Sequence, residues 1–193
     1  MRRQPARVLE SDDVRRLLSH AQFTRYPERN AVIITLSFKA GLRACEIAGL
    51  TWPMALKTSG GISQQLSVSK HIAKYGSGRC IPVHPDLMVA LSRYHRLCDC
   101  PKEGPLVQSE RGGHMTPRSI VNWFHGAYGE LGLNGCSSHS GRRTFITQAA
   151  RMISKTGGSL RDVQELAGHR ALTTTERYIE GDRDAQRQLI SLL

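Results

Sequence analysis

Apolar runs long enough to cross a membrane are missing from this chain. The stretch from Ala31 to Ala40 is the nearest approach, and it is too short and ends at a glycine. The basic start, Met1-Arg2-Arg3-Gln4-Pro5, has no apolar segment behind it, so it does not read as a signal peptide. Zinc-type cysteine spacing is also missing. Cys45, Cys80, Cys98, Cys100 and Cys136 are odd in number, and Cys98-Asp99-Cys100 is tighter than a C-x-x-C motif. These features favour reduced, partly buried thiols and a cytoplasmic, nucleoid-associated setting without a membrane. No carboxylate cluster points to a metal, so neither metal nor other cofactor is expected. Internal repeats and low-complexity tracts are absent.

Acidic residues are scarce beside basic ones: 16 Asp+Glu face 27 Lys+Arg, a formal charge of +11. Such an excess suits a polyanionic partner, because each neutralised phosphate releases counterions. A soluble basic protein with no nucleic-acid role has the same balance. The 193 residues fit one domain with a proper core.

Helical patterns open the chain. Val8 to Ala21 reads as an amphipathic helix with Ser11 a candidate N-cap and Asp12 and Asp13 in its first turn. A second helix runs from about Pro27 to Ala40, with Gly41 placed to end it, and Arg43 to Leu50 is a short third. Met54 to Val83 then loses the helical period. Gln65 to Ser69 and Arg79 to Val83 alternate around Tyr75-Gly76-Ser77-Gly78, a hairpin-type turn, and about three antiparallel strands are expected. Pro82 implies an edge or an end of the last strand. Helices resume at Pro85 to Cys98, at Pro117 after the Thr116 cap to about Leu131, and from about Ser138 to Met152. Leu160 to Ala167 follows, closed by Gly168. Thr173 or Thr174 is expected to cap a helix carrying Tyr178, and 182–193 is expected to form a terminal helix. The fold class is α+β, mostly helical with one small sheet.

Cutting a phosphodiester without metal or nucleotide needs a nucleophile, cations for the transition-state charge and an acid for the departing oxygen. Arginine suits the phosphate because its planar guanidinium stays charged and binds in bidentate fashion. Arg43 and Glu46 lie one helical turn apart, so the carboxylate can orient the guanidinium; a surface ion pair has the same spacing. His139-Ser140-Gly141-Arg142 sets an imidazole and a guanidinium at a helix start, which is also the pattern of a solvated basic cluster. His169 follows the C-cap glycine, and Tyr178 lies nine residues on. Each of these two, alone, reads as an ordinary structural residue.

As an ordered set they resemble the tyrosine recombinase (phage integrase) family. The resembling segments are Ala40-Gly41-Leu42-Arg43-Ala44-Cys45-Glu46-Ile47 with Leu50-Thr51-Trp52, Lys74 to Val83, His139 to Phe145, and Leu166-Ala167-Gly168-His169 through Tyr178. The resemblance implies that Arg43, Lys74, His139, Arg142 and His169 surround a scissile phosphate in double-stranded DNA and that Tyr178 attacks it. It assigns Arg43 and Arg142 to the non-bridging oxygens, Lys74 to the leaving group, His139 to acid–base work and His169 to a phosphate hydrogen bond. Glu46 is supporting. Lys70 competes with Lys74, which has the family's placement ahead of Arg79. A free tyrosine titrates near ~10, so neighbouring cations would have to favour the phenolate.

The family pattern further implies a homotetramer on paired DNA sites, with accessory DNA-bending proteins as possible partners. Residues 1–193 are expected to form one catalytic domain without a separate N-terminal clamp. The 182–193 tail is expected to dock on a neighbouring protomer or to pack in cis. Gly141 stands where a larger apolar residue is common in the family, and Arg143 where a histidine is frequent. A type IB topoisomerase-like activity and a catalytically idle DNA-binding relative are the alternative readings.

Overall fold

The computed structural model describes residues 5–178 and 190–191. Its centre is a helix buried almost all round, α2 (Pro27–Lys39), with Val32, Ile33, Ile34, Leu36 and Phe38 in the core and Arg29, Asn30, Thr35 and Ser37 also buried. A helix of that kind can only be stable with neighbours on every side. Here α1 (Ser11–Ala21), α3 (Ala44–Gly49), α4 (Pro85–Leu97) and α6 (Ser140–Met152) supply them. The amphipathic α1 turns Leu17 and Ala21 inward, with Val14 and Leu18 packed on the same core. Its N-cap is Glu10, and Ser11 is already its first helical residue, so Ser11 does not cap it. Val8 and Leu9 precede the helix, because Leu9 is buried and donates its N–H to Thr144 Oγ1 at 2.9 Å instead.

Among the described residues the sheet has two strands, where about three were expected. β1 (Gln65–Val68) and β2 (Arg79–Pro82) pair antiparallel, from Gln65 opposite Pro82 to Val68 opposite Arg79. Ahead of β1 the chain makes a tight turn over Lys57 to Gly61, whose arms meet in a single isolated bridge, Leu56 with Ile62. Gly60 adopts φ +86° in that turn, and the pairing does not extend past the one bridge. Pro82 ends β2, as its missing N–H requires. The link between the strands is also longer than a tight hairpin: it contains one 3-10 turn at Lys74–Gly76.

Trp52, in another 3-10 turn (Trp52–Met54), is fully buried beside Tyr94 and His95, with ring centroids 5.9 and 4.6 Å away. Thr116 caps α5 (Pro117–Glu130) by accepting from Ser119 N–H, with proline at the first helical position. The chain ends its described part with α7 (Leu160–Ala167) and the short α8 (Leu172–Glu176). These build a second, smaller core around Ile146, Val163 and Ala167, against which Tyr178 packs. Because α6 carries Ile146 in this second core and also packs against α2, it forms the seam between the two. The expected terminal helix at 182–193 lies outside the described residues apart from 190–191. Among the described residues no helix is long and apolar enough to cross a membrane.

Candidate active site

The site begins where α2 stops. Gly41 takes φ +63°, and a Cβ there would lie 2.4 Å from the Phe145 ring, so both backbone and space demand glycine. The turn delivers Arg43 as the N-cap of α3, an unusual residue for that place. An arginine side chain cannot accept from the helix amides, so only the reverse half of a capping box operates. Glu46 reaches back, its Oε2 accepting from Arg43 N–H at 2.9 Å, while Arg43 Nη1 donates to Glu46 Oε1 at 3.1 Å. The expected Arg43–Glu46 pair therefore exists.

It is not a surface pair. Glu46 is fully buried, and its stronger partner is Arg79, from β2. Arg79 Nη1 and Nη2 donate to Oε1 and Oε2 at 2.9 and 3.1 Å, and Nε donates to Leu166 O at 2.9 Å. Burial pushes the Glu46 carboxyl up, but hydrogen bonds and charge from Arg79, the Arg43 amide and the Arg142 charge outweigh it and hold its pKa low. The carboxylate is therefore ionised. Arg79 in this role was invisible in the sequence, where it marked an alternating strand position and the placement of Lys74.

Arg142, in the first turn of α6, is 4% exposed. Its Nη1 donates to Gly41 O at 2.7 Å and its Nη2 to Ala167 O at 2.6 Å, tying the α2 turn to the end of α7. Burial first, and then the Arg43 charge, bring its pKa down to about 10, which leaves it cationic at neutral pH. Each Nη retains a second N–H for another acceptor. Gly141 beside it costs helix propensity, but a Cβ there would sit 2.2 Å from Ser37 Oγ. Glycine at this position lets α6 approach α2. His139 is the residue before α6 and its ring is exposed at the site's edge. Loss of solvation, with the charges of Arg142, Arg43 and Lys74, lowers its pKa. Lys74 is exposed in the 3-10 turn between the strands, close enough for its charge to act on His139.

At the end of α7, Gly168 adopts φ +62°, and the chain reverses so that His169 N–H donates to Gln164 O at 3.1 Å. His169 Nδ1 lies 2.9 Å from the buried Thr175 Oγ1. Burial and then the Arg142, Arg43 and Arg79 charges lower its pKa to about 4, so the ring is neutral at pH 7. The His169 ring lies over the Tyr178 ring, with centroids 5.6 Å apart and planes at 24°. Tyr178 is not on a helix, contrary to expectation. The N-cap of α8 is Ala171, neither Thr173 nor Thr174, and the helix ends at Glu176. Tyr178 occupies the turn beyond it, its N–H donating to Thr175 O at 3.0 Å. Leaving the helix there lets the ring drop onto the second core while Arg143 Cζ sits 5.8 Å from its centroid.

The six anticipated site residues thus come from four segments to one basic region. Arg43, Arg142, His139 and His169 are linked by mutual electrostatic influence, Lys74 through His139 and Tyr178 through His169. The residues not foreseen in their roles are Arg79 and Thr175.

A basic α+β domain with arginines, histidines and a tyrosine gathered at the seam of its cores is the class that this fold and site define. The phage integrase family model matches residues 7–184, and the chain belongs to the phage integrase family. The tyrosine recombinase XerC of Bradyrhizobium diazoefficiens is 33% identical over 153 residues, covering 78% of this chain and 45% of that protein. The tyrosine recombinase XerC of Brucella suis biovar 1 is 32% identical over 178 residues, covering 88% of this chain and 53% of that protein. The chain therefore spans about half the length of these curated relatives. A solved structure of the Tn1549 transposon integrase, in complex with transposon right end DNA, shares the fold. Its TM-score is 0.77 at 21% identity, over 100% of this chain and 67% of that one.

Proposed function

We propose that this chain is a site-specific DNA recombinase domain that cleaves and rejoins DNA strands through Tyr178. The observation that carries this reading is the meeting of Tyr178 with His169, Arg142 and Arg43 around a buried carboxylate. Tyr178 Oη attacks the phosphorus of a backbone phosphodiester, and the bond from phosphorus to the 5′ oxygen breaks. The phenol proton of Tyr178 passes to His139, the departing 5′ oxygen takes a proton from Lys74, and the products are a 3′-phosphotyrosine and a 5′-hydroxyl. Arg43 and Arg142 hold the non-bridging oxygens, which gain charge in the transition state. His139 exchanges protons at the site edge, and His169, neutral, donates a hydrogen bond to the phosphate. Because the ester conserves the energy of the bond, the hydroxyl of another strand can reverse the step without a nucleotide cofactor.

Exchange between two duplexes requires four strand cleavages. With one nucleophilic tyrosine per chain, a homotetramer on paired double-stranded DNA sites follows. Accessory DNA-bending proteins and a nucleoid setting fit the same picture. Residues 1–193 act as the catalytic unit. The recombinase names of the relatives support exchange over relaxation of supercoils.

The test is a nicked suicide substrate, from which the cleaved fragment escapes so that the adduct accumulates. The wild-type chain should give a protein–DNA adduct that survives denaturant, and Tyr178→Phe should give none while still binding DNA. An equal adduct from Tyr178→Phe would remove Tyr178 as nucleophile, and no adduct from the wild type would remove the activity.

A further inference from the structure

Arg79 is buried at the centre of the site, yet the strand-cleavage reading gives it nothing to do. We propose that Arg79 is a positioning residue for cleavage, fixing Arg43, the Lys74 turn and the His169 turn in one geometry through Glu46 and Leu166. The proposal rests on the cleavage reading and extends it to a residue that need not touch DNA.

Three segments converge on its guanidinium. Glu46, which it grips with both Nη atoms, is the group that holds the backbone and side chain of Arg43. Leu166, whose carbonyl accepts from Nε, lies three residues before His169 at the end of α7. Lys74 lies five residues before Arg79, in the turn that leads into β2. All three guanidinium nitrogens are engaged, and the side chain is 6% exposed. The guanidinium also lies flat against Gly168, where a Cβ would come within 3.0 Å of Arg79 Cδ and Nη1. The glycine that turns the chain toward His169 therefore makes room for this arginine as well.

Stability alone does not account for such a pair. Burying two charges costs about as much as their attraction returns, and apolar replacements often do as well. What a bidentate guanidinium supplies is direction, with its donors fixed in one plane. Lysine keeps the charge, but one ammonium on a flexible stem cannot meet both Glu46 oxygens and Leu166 O in that plane.

The test compares Arg79→Lys with the wild type in single-turnover adduct formation. Arg79→Lys should keep its helical circular dichroism and its half-saturating DNA concentration while the maximal rate falls at least about tenfold. The loss should shrink on a substrate with sulfur at the 5′-bridging position, which needs no leaving-group acid and so does not depend on Lys74. A rate within about twofold of wild type, or a loss confined to DNA binding, would overturn the proposal. If Arg79→Lys fails to fold, the double variant Arg79→Gln, Glu46→Gln removes both charges of the Arg79–Glu46 pair together; it should fold and cleave slowly, and a wild-type rate in it refutes the role. If the wild type itself forms no adduct, the cleavage reading fails, and amide exchange then judges Arg79. Faster exchange in Arg79→Lys at both 74–76 and 168–169 supports the positioning role, and a change limited to β2 rejects it.

Discussion

The imidazole of His169 lies over the phenol ring of Tyr178, 5.6 Å between centroids, while its Nδ1 meets Thr175 Oγ1 at 2.9 Å. The two contacts fix the ring at face and edge, and they leave Nε2 as the nitrogen for a further partner. Neutral His169 then offers a hydrogen bond without adding to the positive charge already held by Arg43, Arg79 and Arg142.

That neutrality has a pH signature. Folding lowers the His169 pKa from 6.5 to about 4. Between those values the unfolded chain binds a proton that the folded chain refuses, so stability falls as pH drops and is unaffected by this group above 6.5. The expected loss from neutral pH to about pH 4.5 is about 2 kcal/mol, allowing for the ring's partial exposure. Urea unfolding of wild type and His169→Gln at the two pH values checks it. The variant should lose less by that amount, and equal losses would contradict the shift.

Thr175→Val keeps shape and removes the hydroxyl. Because Thr175 is buried, water does not replace the lost partner of His169 Nδ1, and an unsatisfied group of this kind costs about 1–3 kcal/mol. Adduct formation is expected to slow roughly tenfold at unchanged DNA affinity, with Thr175→Ser near wild type. Wild-type speed in the valine variant would show that the hydroxyl does not orient the ring.

Lys74→Ala should slow cleavage of ordinary DNA by roughly 10²–10⁴, the scale of a lost general acid. On 5′-bridging phosphorothiolate DNA the same variant should approach wild type, because a thiolate leaves unaided. Equal losses on both substrates would transfer the acid role elsewhere, with Lys70 the next to test.

Gly41→Ala combines a left-handed φ of +63° with a contact of 2.4 Å to Phe145 Cδ1. The backbone penalty is about 1–2 kcal/mol and overpacking adds about 1–3. Chemical denaturation should show a loss of roughly 2–5 kcal/mol, partly recovered by Phe145→Leu. Full stability in the single variant would mean that the turn relaxes freely.

Much of this arrangement was legible before any coordinates, for reasons that act over a few residues. Thr116-Pro117 starts α5, Leu160 to Ala167 followed by glycine is α7, and Gly41 ends α2, because caps and positive φ are set by neighbours in sequence. The count of about three strands failed because alternation at Gln65 to Ser69 and Arg79 to Val83 marks two strands but says nothing about how many partners they will find. Tyr178 was misplaced onto a helix for a related reason. Its segment has helical propensity, but packing on Ile146, Val163 and Ala167 decided where the helix stopped.

By itself, then, the sequence determined the helical segments, the basic balance and the set of chemically capable side chains, since composition and short spacing carry that information. Tertiary structure alone decided that Glu46 is shared between Arg43 and Arg79, thirty-three residues further on, that Arg142 is buried between Gly41 and Ala167, and that His169 lies on Tyr178. Such pairings depend on the path of the chain between distant elements and on water being excluded where they meet, and neither is written in local sequence.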